Sequence, residues 1–377
     1  MQNNRLDYAG QNSIIPHSRP TLGQAEANAA RDAVLSGFVG QGERTHIFEN
    51  ALGGFTERRF ARVINSGTSA LTLALRALDI QPHDEIILPA FVCRAVLNAT
   101  LAVQAKPVLA DIETSDLTLS VDSAQSKISN RTRLVIAPHM FGASAALDKF
   151  AALGIPLLED AASSLGASFQ NKPLGSFTRV STLSFASTKI ITTGQGGAIL
   201  TDDALIAERL AQLADYDSTA RNTRTAYNVQ FSDIQAAIGS VQLARLPEFL
   251  AARHAIASAY MRALTDVPGV KIPRARENAI HSYYRFVLQV PQNSARIVAE
   301  LQRAGIDARA AVAHFLYDYL GDSPSAFPRC EQLRNHLISL PIYPTLTAAQ
   351  VDYIATATRH TLLRLGTPTQ NIYAIAN

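Results

Sequence analysis

The sequence has no tryptophan and only two cysteines and three methionines among its 377 residues. Cys93 and Cys330 lie far apart in the chain, so they form neither a disulfide framework nor the close pair of a structural zinc site. The nine histidines are scattered, without the H-E-x-x-H spacing or a carboxylate cluster that would indicate metal binding. We therefore expect a metal-free protein in a reducing compartment, the cytoplasm.

Long apolar runs and blocks of like charge are absent too. No apolar run reaches the length of a membrane-spanning helix, and residues 1–7 have no signal-peptide pattern. The net charge of +3 comes without Lys/Arg blocks, so nucleic acid is not indicated and a small anionic substrate suits the chain. With 47% hydrophobic and 17% charged residues, the composition predicts a globular protein of two domains.

Short apolar runs alternate with helical patterns in the first part of the chain. After a polar arm over residues 1–20, the pattern predicts a helix over residues 21–35 that stops at Gly37. The spacing of the strands that follow leaves room for crossover helices, which predicts an α/β fold with a mostly parallel sheet between helices. These predicted strands are Arg62–Asn65, Glu85–Leu88, Pro107–Asp111, Leu134–Ala137, Pro156–Asp160, Thr182–Phe185 and Gly197–Leu200.

The pattern changes close to Leu246. We therefore expect a large domain over residues 21–245 and a smaller α+β domain over residues 246–377, packed together and sharing one long helix. The elements of the second domain are a helix over Pro247–Leu264, a strand over Tyr284–Val290, a helix over Ala295–Ala304 and a proline-rich tail.

One lysine, Lys189, lies where an apolar strand meets a hydroxyl-rich turn and a glycine loop. Lysine is usually a solvated surface cation, so this position is a candidate for a desolvated amine that forms a Schiff base. Asp160 ends another apolar strand, where a carboxylate either pairs with a protonated ring nitrogen of a cofactor or caps the next helix.

A third position is a turn of small residues, Asn65–Ala70, between a strand and an apolar helix. Its free N–H groups and hydroxyls can cradle a phosphate, although Ser66 or Thr68 could also be an ordinary helix N-cap. A phosphate turn, a strand-end carboxylate and a strand-end lysine together predict pyridoxal 5'-phosphate (PLP) as the cofactor.

Further short motifs follow in order along nearly the whole chain. They are Ser36–Gly42, Asn65–Leu71, Asp84–Pro89, Lys106–Val108, His139–Gly142, Glu159–Ala162, Ser184–Gly197, Tyr227–Asn228, Gln235–Gly239 and Leu340–Pro341. This set resembles the DegT/DnrJ/EryC1/StrS family of PLP-dependent sugar aminotransferases, which has fold type I of the PLP enzymes.

The resemblance implies a role for each residue of the cofactor site. Lys189 would hold PLP as an internal aldimine and later shuttle a proton, and Asp160 would pair with the pyridine nitrogen. Asn228 would reach the phosphate of the neighbouring subunit, which implies a homodimer with two shared sites. The phosphate of the same subunit's cofactor would be bound by Gly67, Thr68 and Ser184.

The substrate side is less defined. His281 and Tyr283, with the glycine loop after Lys189, would flank the substrate mouth. Arg309 matches a position where family members often carry an arginine near that mouth. His139, at a strand end, either contacts substrate or makes structural hydrogen bonds.

Two positions depart from the family pattern. Ser163 stands where many members have glutamine, and the shorter hydroxyl leaves room for a water beside the cofactor. Cys93 stands where many members place an aromatic ring over the pyridine, so either Cys93 packs on that ring or Phe91 moves to it; we favour Cys93. Leu165 likewise replaces a family histidine.

The implied reaction is a ping-pong transamination. An amino donor, typically glutamate, converts PLP to pyridoxamine 5'-phosphate, which then aminates a keto group of a nucleotide-linked deoxysugar. A keto cyclitol is an alternative acceptor. A PLP- or pyridoxamine-dependent sugar dehydratase is a second possibility, but deoxygenating relatives replace the lysine with histidine and this chain retains Lys189. A non-catalytic regulator is a third, against which the complete set of cofactor residues also argues.

Overall fold

A computed structural model describes residues 14–216 and 225–366. The predicted arm therefore lies largely outside the described residues, as does the end of the C-terminal tail. No helix of the described ranges is both long enough and apolar enough to cross a bilayer. The helices are α1 (Gln24–Leu35), α2 (Glu43–Phe55), α3 (Gly67–Ala77), α4 (Arg94–Ala102), α5 (Val121–Gln125), α6 (Leu147–Ala151), α7 (Ala204–Ala214), α8 (Asp233–Ala244), α9 (Leu246–Leu264), α10 (Ser294–Arg303), α11 (Leu316–Leu320), α12 (Pro328–Leu333) and α13 (Ala348–Gly366).

The strands form one large and two small sheets. The large sheet has the order β1-β9-β8-β5-β4-β2-β3, and the small sheets have the orders β10-β6-β7 and β11-β13-β12. The strands are β1 (Phe60–Ile64), β2 (Glu85–Pro89), β3 (Lys106–Ala110), β4 (Thr132–Pro138), β5 (Leu157–Asp160), β6 (Ser168–Phe169), β7 (Lys172–Pro173), β8 (Val180–Ser184), β9 (Gly197–Thr201), β10 (Ala279–Ile280), β11 (Phe286–Gln289), β12 (Arg309–Ala310) and β13 (Leu337–Leu340).

The large sheet confirms the predicted α/β fold with a mostly parallel sheet. Each predicted strand of the first part of the chain is present in it, and β8, β5, β4, β2 and β3 are parallel. The exception is β9, which runs antiparallel to both β8 and β1. The connection from β8 to β9 contains no helix, and a parallel neighbour would need a longer crossover.

Two hydrophobic cores meet along α9. Leu246 and Phe249, in its first turn, pack in a core with the large sheet, whereas Ile256 and Leu264 pack in the core of the C-terminal sheet. We propose that the boundary between the large and small domains lies near Arg245, at the start of this helix. The long helix then belongs to both domains, which couples their positions.

Two segments pack across that boundary. Ile15 bridges to Ile306 and contributes to the core of the small domain, so the described end of the arm is attached there. In the other direction, Phe315 and Leu316 return to the core of the large domain, where the Leu316 N–H bonds to the Ala90 carbonyl at 2.8 Å. Segments therefore cross between the two domains in both directions.

A buried carboxylate joins the start of α2 to α8. Asp233 accepts hydrogen bonds from the N–H groups of Gly42 and Thr45, each at 2.9 Å, and from the Thr45 hydroxyl at 2.7 Å. Burial alone would raise the pKa of Asp233, but these bonds outweigh burial and hold the pKa below its usual value. The ionised carboxylate is therefore the form that the fold stabilises.

Replacement of this acceptor tests its contribution to stability. In Asp233→Ala the buried N–H groups at the start of α2 lose their partner, and we expect the free energy of unfolding in urea to fall by about 2 kcal/mol. Because folding lowers the pKa, the difference from wild type should shrink as the pH falls through the folded pKa. The control is Asp352→Ala, at an exposed position on α13, and an equal loss in both variants would contradict this role.

Candidate active site

A cavity of about 410 Å³ opens at the carboxyl ends of the parallel strands. Ligands of open α/β sheets bind at this edge, because the strand ends and the following loops converge there. The C-terminal segment that starts at β12 forms the opposite wall. The polar side chains of the lining are Cys93, Arg94, His139, Asp160, Ser163, Lys189, Tyr284, Arg285, Arg309, His314 and Tyr319.

Lys189 and Asp160 lie together in this cavity, as the sequence predicts. The Lys189 amine donates a hydrogen bond to the Ser163 hydroxyl at 3.2 Å and lies 4.7 Å from the centre of the Tyr284 ring. Asp160 ends β5, is 5% exposed and accepts the Ala162 N–H at 3.0 Å. Burial raises the pKa of Asp160, and the positive charge of Lys189 opposes this shift.

The turn after β1 forms a cradle beside the end of β8. The Ser66 hydroxyl accepts the Ser69 N–H at 3.1 Å, so Ser66 is the N-cap of α3. The N–H groups of Gly67 and Thr68 come earlier in the helix, where no intrahelical carbonyl is available to them. A Cβ atom on Gly67 would lie 2.8 Å from the Ser184 Cβ, so only glycine leaves the space open.

These residues fit PLP. A buried carboxylate lies at one side of the cavity to hold a proton on a ring nitrogen, and a helix N-terminus with hydroxyls is available for a phosphate. The Lys189 amine lies in the same cavity, where it can reach an aldehyde. The roles of these residues remain our proposal, and they agree with the predicted set of Gly67, Thr68, Ser163, Ser184 and Lys189.

The Cys93 thiol faces the cavity, and Phe91 does not. Phe91 is 1% exposed and packs edge-on against Phe141 and Phe315 in the core, with ring centres 6.0 and 5.4 Å apart. Cys93 is open to the cavity, where the surrounding protein and the Asp160 carboxylate raise the pKa of its thiol. Of the two side chains, Cys93 alone lines the cavity, and its contact with the cofactor ring stays a proposal.

The three weaker substrate candidates have different surroundings. His139 makes structural hydrogen bonds, because its Nδ1 accepts the Ala145 N–H and its Nε2 donates to Glu159, both at 3.0 Å. Of the two alternatives for His139, the structure shows the structural hydrogen bonds, and the residue also lines the cavity. Arg309 lines the cavity, but its guanidinium is bound to both carboxylate oxygens of Asp307 at 3.1 and 2.7 Å.

The surroundings of His281 differ from those of His139. Its ring stacks on Tyr283 with the centres 4.4 Å apart, and its Nδ1 accepts the Tyr283 N–H at 2.8 Å. Burial lowers the pKa of His281 to about 3. Neither His281 nor Tyr283 lines the cavity; the next residues, Tyr284 and Arg285, do. The sequence shows two adjacent tyrosines, Tyr283 and Tyr284, but does not show which of the two rings faces Lys189.

Asn228 is exposed in the single chain, in the loop before α8. The N–H of Asn65 bonds to the Val229 carbonyl at 3.0 Å, which fixes this loop beside the end of β1. The side chain of Asn228 is therefore available to a second subunit.

Comparisons with known proteins identify the family. The model of the DegT/DnrJ/EryC1/StrS aminotransferase family matches residues 20–359. The chain belongs to this family. It is a PLP-dependent aminotransferase, which confirms the predicted cofactor and enzyme class.

Individual relatives match over almost their full length. GDP-perosamine synthase of Vibrio cholerae is 30% identical over 358 residues, which cover 90% of this chain and 97% of that protein. The aminotransferase TlmJ of Streptoalloteichus hindustanus is 28% identical with a TM-score of 0.88, over 94% of this chain and 100% of TlmJ. The PLP form of Spr1654 from Streptococcus pneumoniae is 25% identical with a TM-score of 0.89, over 94% and 100% of the two chains.

Substitution of Gly67 tests the phosphate cradle. In Gly67→Ala the new methyl group would crowd Ser184 at a cost of about 1–3 kcal/mol, and we expect the affinity for PLP to fall at least tenfold. The affinity is measured by equilibrium dialysis of the apoprotein against PLP. Gly54→Ala on α2 is the matched control, because a Cβ atom there has no neighbour within 4 Å. Unchanged affinity in Gly67→Ala would contradict this assignment.

Proposed function

We propose that the protein transfers an amino group from glutamate to a keto group of a nucleotide-linked sugar, by a ping-pong mechanism. The observation that carries the proposal is the Lys189 amine beside the buried Asp160 in one cavity. The relation to GDP-perosamine synthase supports a nucleotide-linked acceptor. The arginines of the cavity wall support an anionic substrate.

Bound PLP would supply the electron sink for the carbanion formed at the amine-bearing carbon. The Asp160 carboxylate would hold a proton on the ring nitrogen, because an ionised carboxylate in a buried position needs a cationic partner. The Lys189 Nζ would take the proton from the amine-bearing carbon of the substrate and deliver it to the cofactor. Ser163 and Tyr284 hold Nζ in place between these steps.

The second half of the reaction uses the same groups in the reverse direction. Lys189 then delivers a proton to the former keto carbon of the acceptor. The use of one cavity in both halves supports the ping-pong order, because donor and acceptor would react in turn at the same groups.

A homodimer completes the proposal. Asn228 is exposed. Leu35 is 76% exposed, and Phe38 in the following segment, Ser36–Gly42, is 78% exposed. Val34 and Val39 of the same stretch are exposed as well, and a group of exposed apolar side chains supports a surface that a partner covers. A second subunit on this surface would bring Asn228 to the neighbouring phosphate.

Visible spectroscopy tests the transamination. We expect the PLP-loaded protein to lose its long-wavelength absorbance on addition of glutamate and to regain it with a keto sugar. A panel of nucleotide-linked 3-keto and 4-keto sugars, with scyllo-inosose for the cyclitol alternative, identifies the acceptor. Lys189→Ala should lack the band and show no turnover, while its circular dichroism matches wild type. A band that persists in Lys189→Ala would refute the role of this lysine.

Subunit mixing tests the shared site. In Asn228→Asp the added negative charge would repel the cofactor phosphate, and we expect activity to fall at least tenfold. Lys189→Ala is inactive by the argument above. When both variants are unfolded and refolded together, each mixed dimer regains one intact site, so activity should exceed that of either variant alone. No gain on mixing, with mixed dimers shown by native mass spectrometry, would mean that Asn228 acts within its own chain.

A further inference from the structure

The arginines of the cavity wall differ in whether a carboxylate pairs with them. Three arginines line its wall, and the charge of Arg309 is compensated by the two-point contact with Asp307. Arg285 donates from Nη1 to the Ala311 carbonyl at 3.0 Å. Within residues 14–216 and 225–366 it makes no ion pair with a carboxylate. A partly buried guanidinium is normally paired, so this position calls for an anion.

Tyr284 places this arginine next to the reactive lysine. The Arg285 Cζ lies 5.6 Å from the centre of the Tyr284 ring, and the Lys189 Nζ lies 4.7 Å from the same ring. Both cations therefore face the cavity around one aromatic side chain. A substrate whose amine replaces that of Lys189 would therefore bind in the cavity that Arg285 also lines.

Resting on the proposed function, we infer that Arg285 binds the carboxylate of the amino-acid donor. An amino acid carries a carboxylate on the carbon that bears the amine, whereas a keto sugar has none there. The hydrogen bond to Ala311 fixes one nitrogen of the guanidinium and leaves further N–H groups for a two-point contact with a carboxylate. Arg285 would thus serve the donor half of the reaction.

Arg94 is less suited to this role. It is exposed, and its guanidinium lies over the Tyr319 ring at 4.6 Å, on the wall contributed by α4. No described contact connects it to Lys189 or to Tyr284. An anion at Arg94 would belong to a part of the substrate that is more distant from the reacting carbon.

The experiment compares Arg285→Gln with Arg309→Gln in the PLP-loaded protein. Glutamate is titrated under single-turnover conditions, and binding of the unreactive dicarboxylate glutarate is measured by calorimetry. We expect Arg285→Gln to weaken both ligands at least tenfold, because charge-assisted bonds are lost, while the visible band of the bound cofactor is retained. Arg309→Gln removes a charge that Asp307 already compensates, so its loss of affinity for either ligand should be several-fold smaller than that of Arg285→Gln. Arg285→Lys should recover part of the loss, since lysine keeps the positive charge but cannot make the two-point contact of a guanidinium.

The possible outcomes separate the two proposals. If the wild-type protein does not react with glutamate, the proposed donor is wrong. If wild type reacts and Arg285→Gln binds glutamate and glutarate equally well, only the inference about Arg285 fails. An equal loss in Arg309→Gln would also overturn it, because the effect would then reflect the total charge of the cavity. Loss of the visible band in Arg285→Gln would show a structural role in place of carboxylate binding.

Discussion

The parallel pairing of β5 with β8 is the contact on which the site depends. It aligns Asp160 with Thr182, so Asp160 and Ser184 come to the same edge of the sheet, and the loop after Ser184 carries Lys189 back toward Asp160. Successive residues of a strand point to opposite faces, so a slip of one residue would exchange Asp160 with Glu159. The electrostatics of the site therefore rest on a hydrogen-bonding register that is set by apolar side chains such as Leu158 and Leu183.

The two carboxylates at the end of β5, Glu159 and Asp160, have different hydrogen-bond partners and opposite pKa shifts. Glu159 is fully buried and accepts N–H groups of Gly175 and Phe177, both at 2.8 Å, as well as the His139 ring. Burial alone would raise the pKa of Glu159, but these bonds outweigh it and lower the pKa. Asp160 has far fewer donors, and burial raises its pKa. The satisfied carboxylate anchors a loop, and the unsatisfied one remains available to a cofactor cation.

Local sequence predicts the strand ends that carry Asp160 and Lys189. It does not predict the opposite wall of the cavity, which the C-terminal segment forms. Apolar runs that end in Asp160 or Lys189 predict strands and strand ends, because period and composition are local properties. The antiparallel direction of β9 depends on loop length, and the placing of Tyr284 in the cavity instead of His281 depends on tertiary packing around Tyr283. For the same reason the sequence could not show that Phe315 returns to the large core, where it packs against Phe91, while Cys93 lines the cavity.

The proposed ping-pong reaction would require one cavity to recognise two different substrates, and the charges of this chain suggest how they are distinguished. Asp160 and Lys189 would be needed in both halves, so they could not discriminate. Discrimination must come from cations that only one substrate engages. Arg309 is held by Asp307 and offers little net charge, whereas Arg285 is fixed by a neutral carbonyl and keeps its full charge for a ligand. The pairing state of two arginines on the same wall therefore decides which of them can bind an anion strongly.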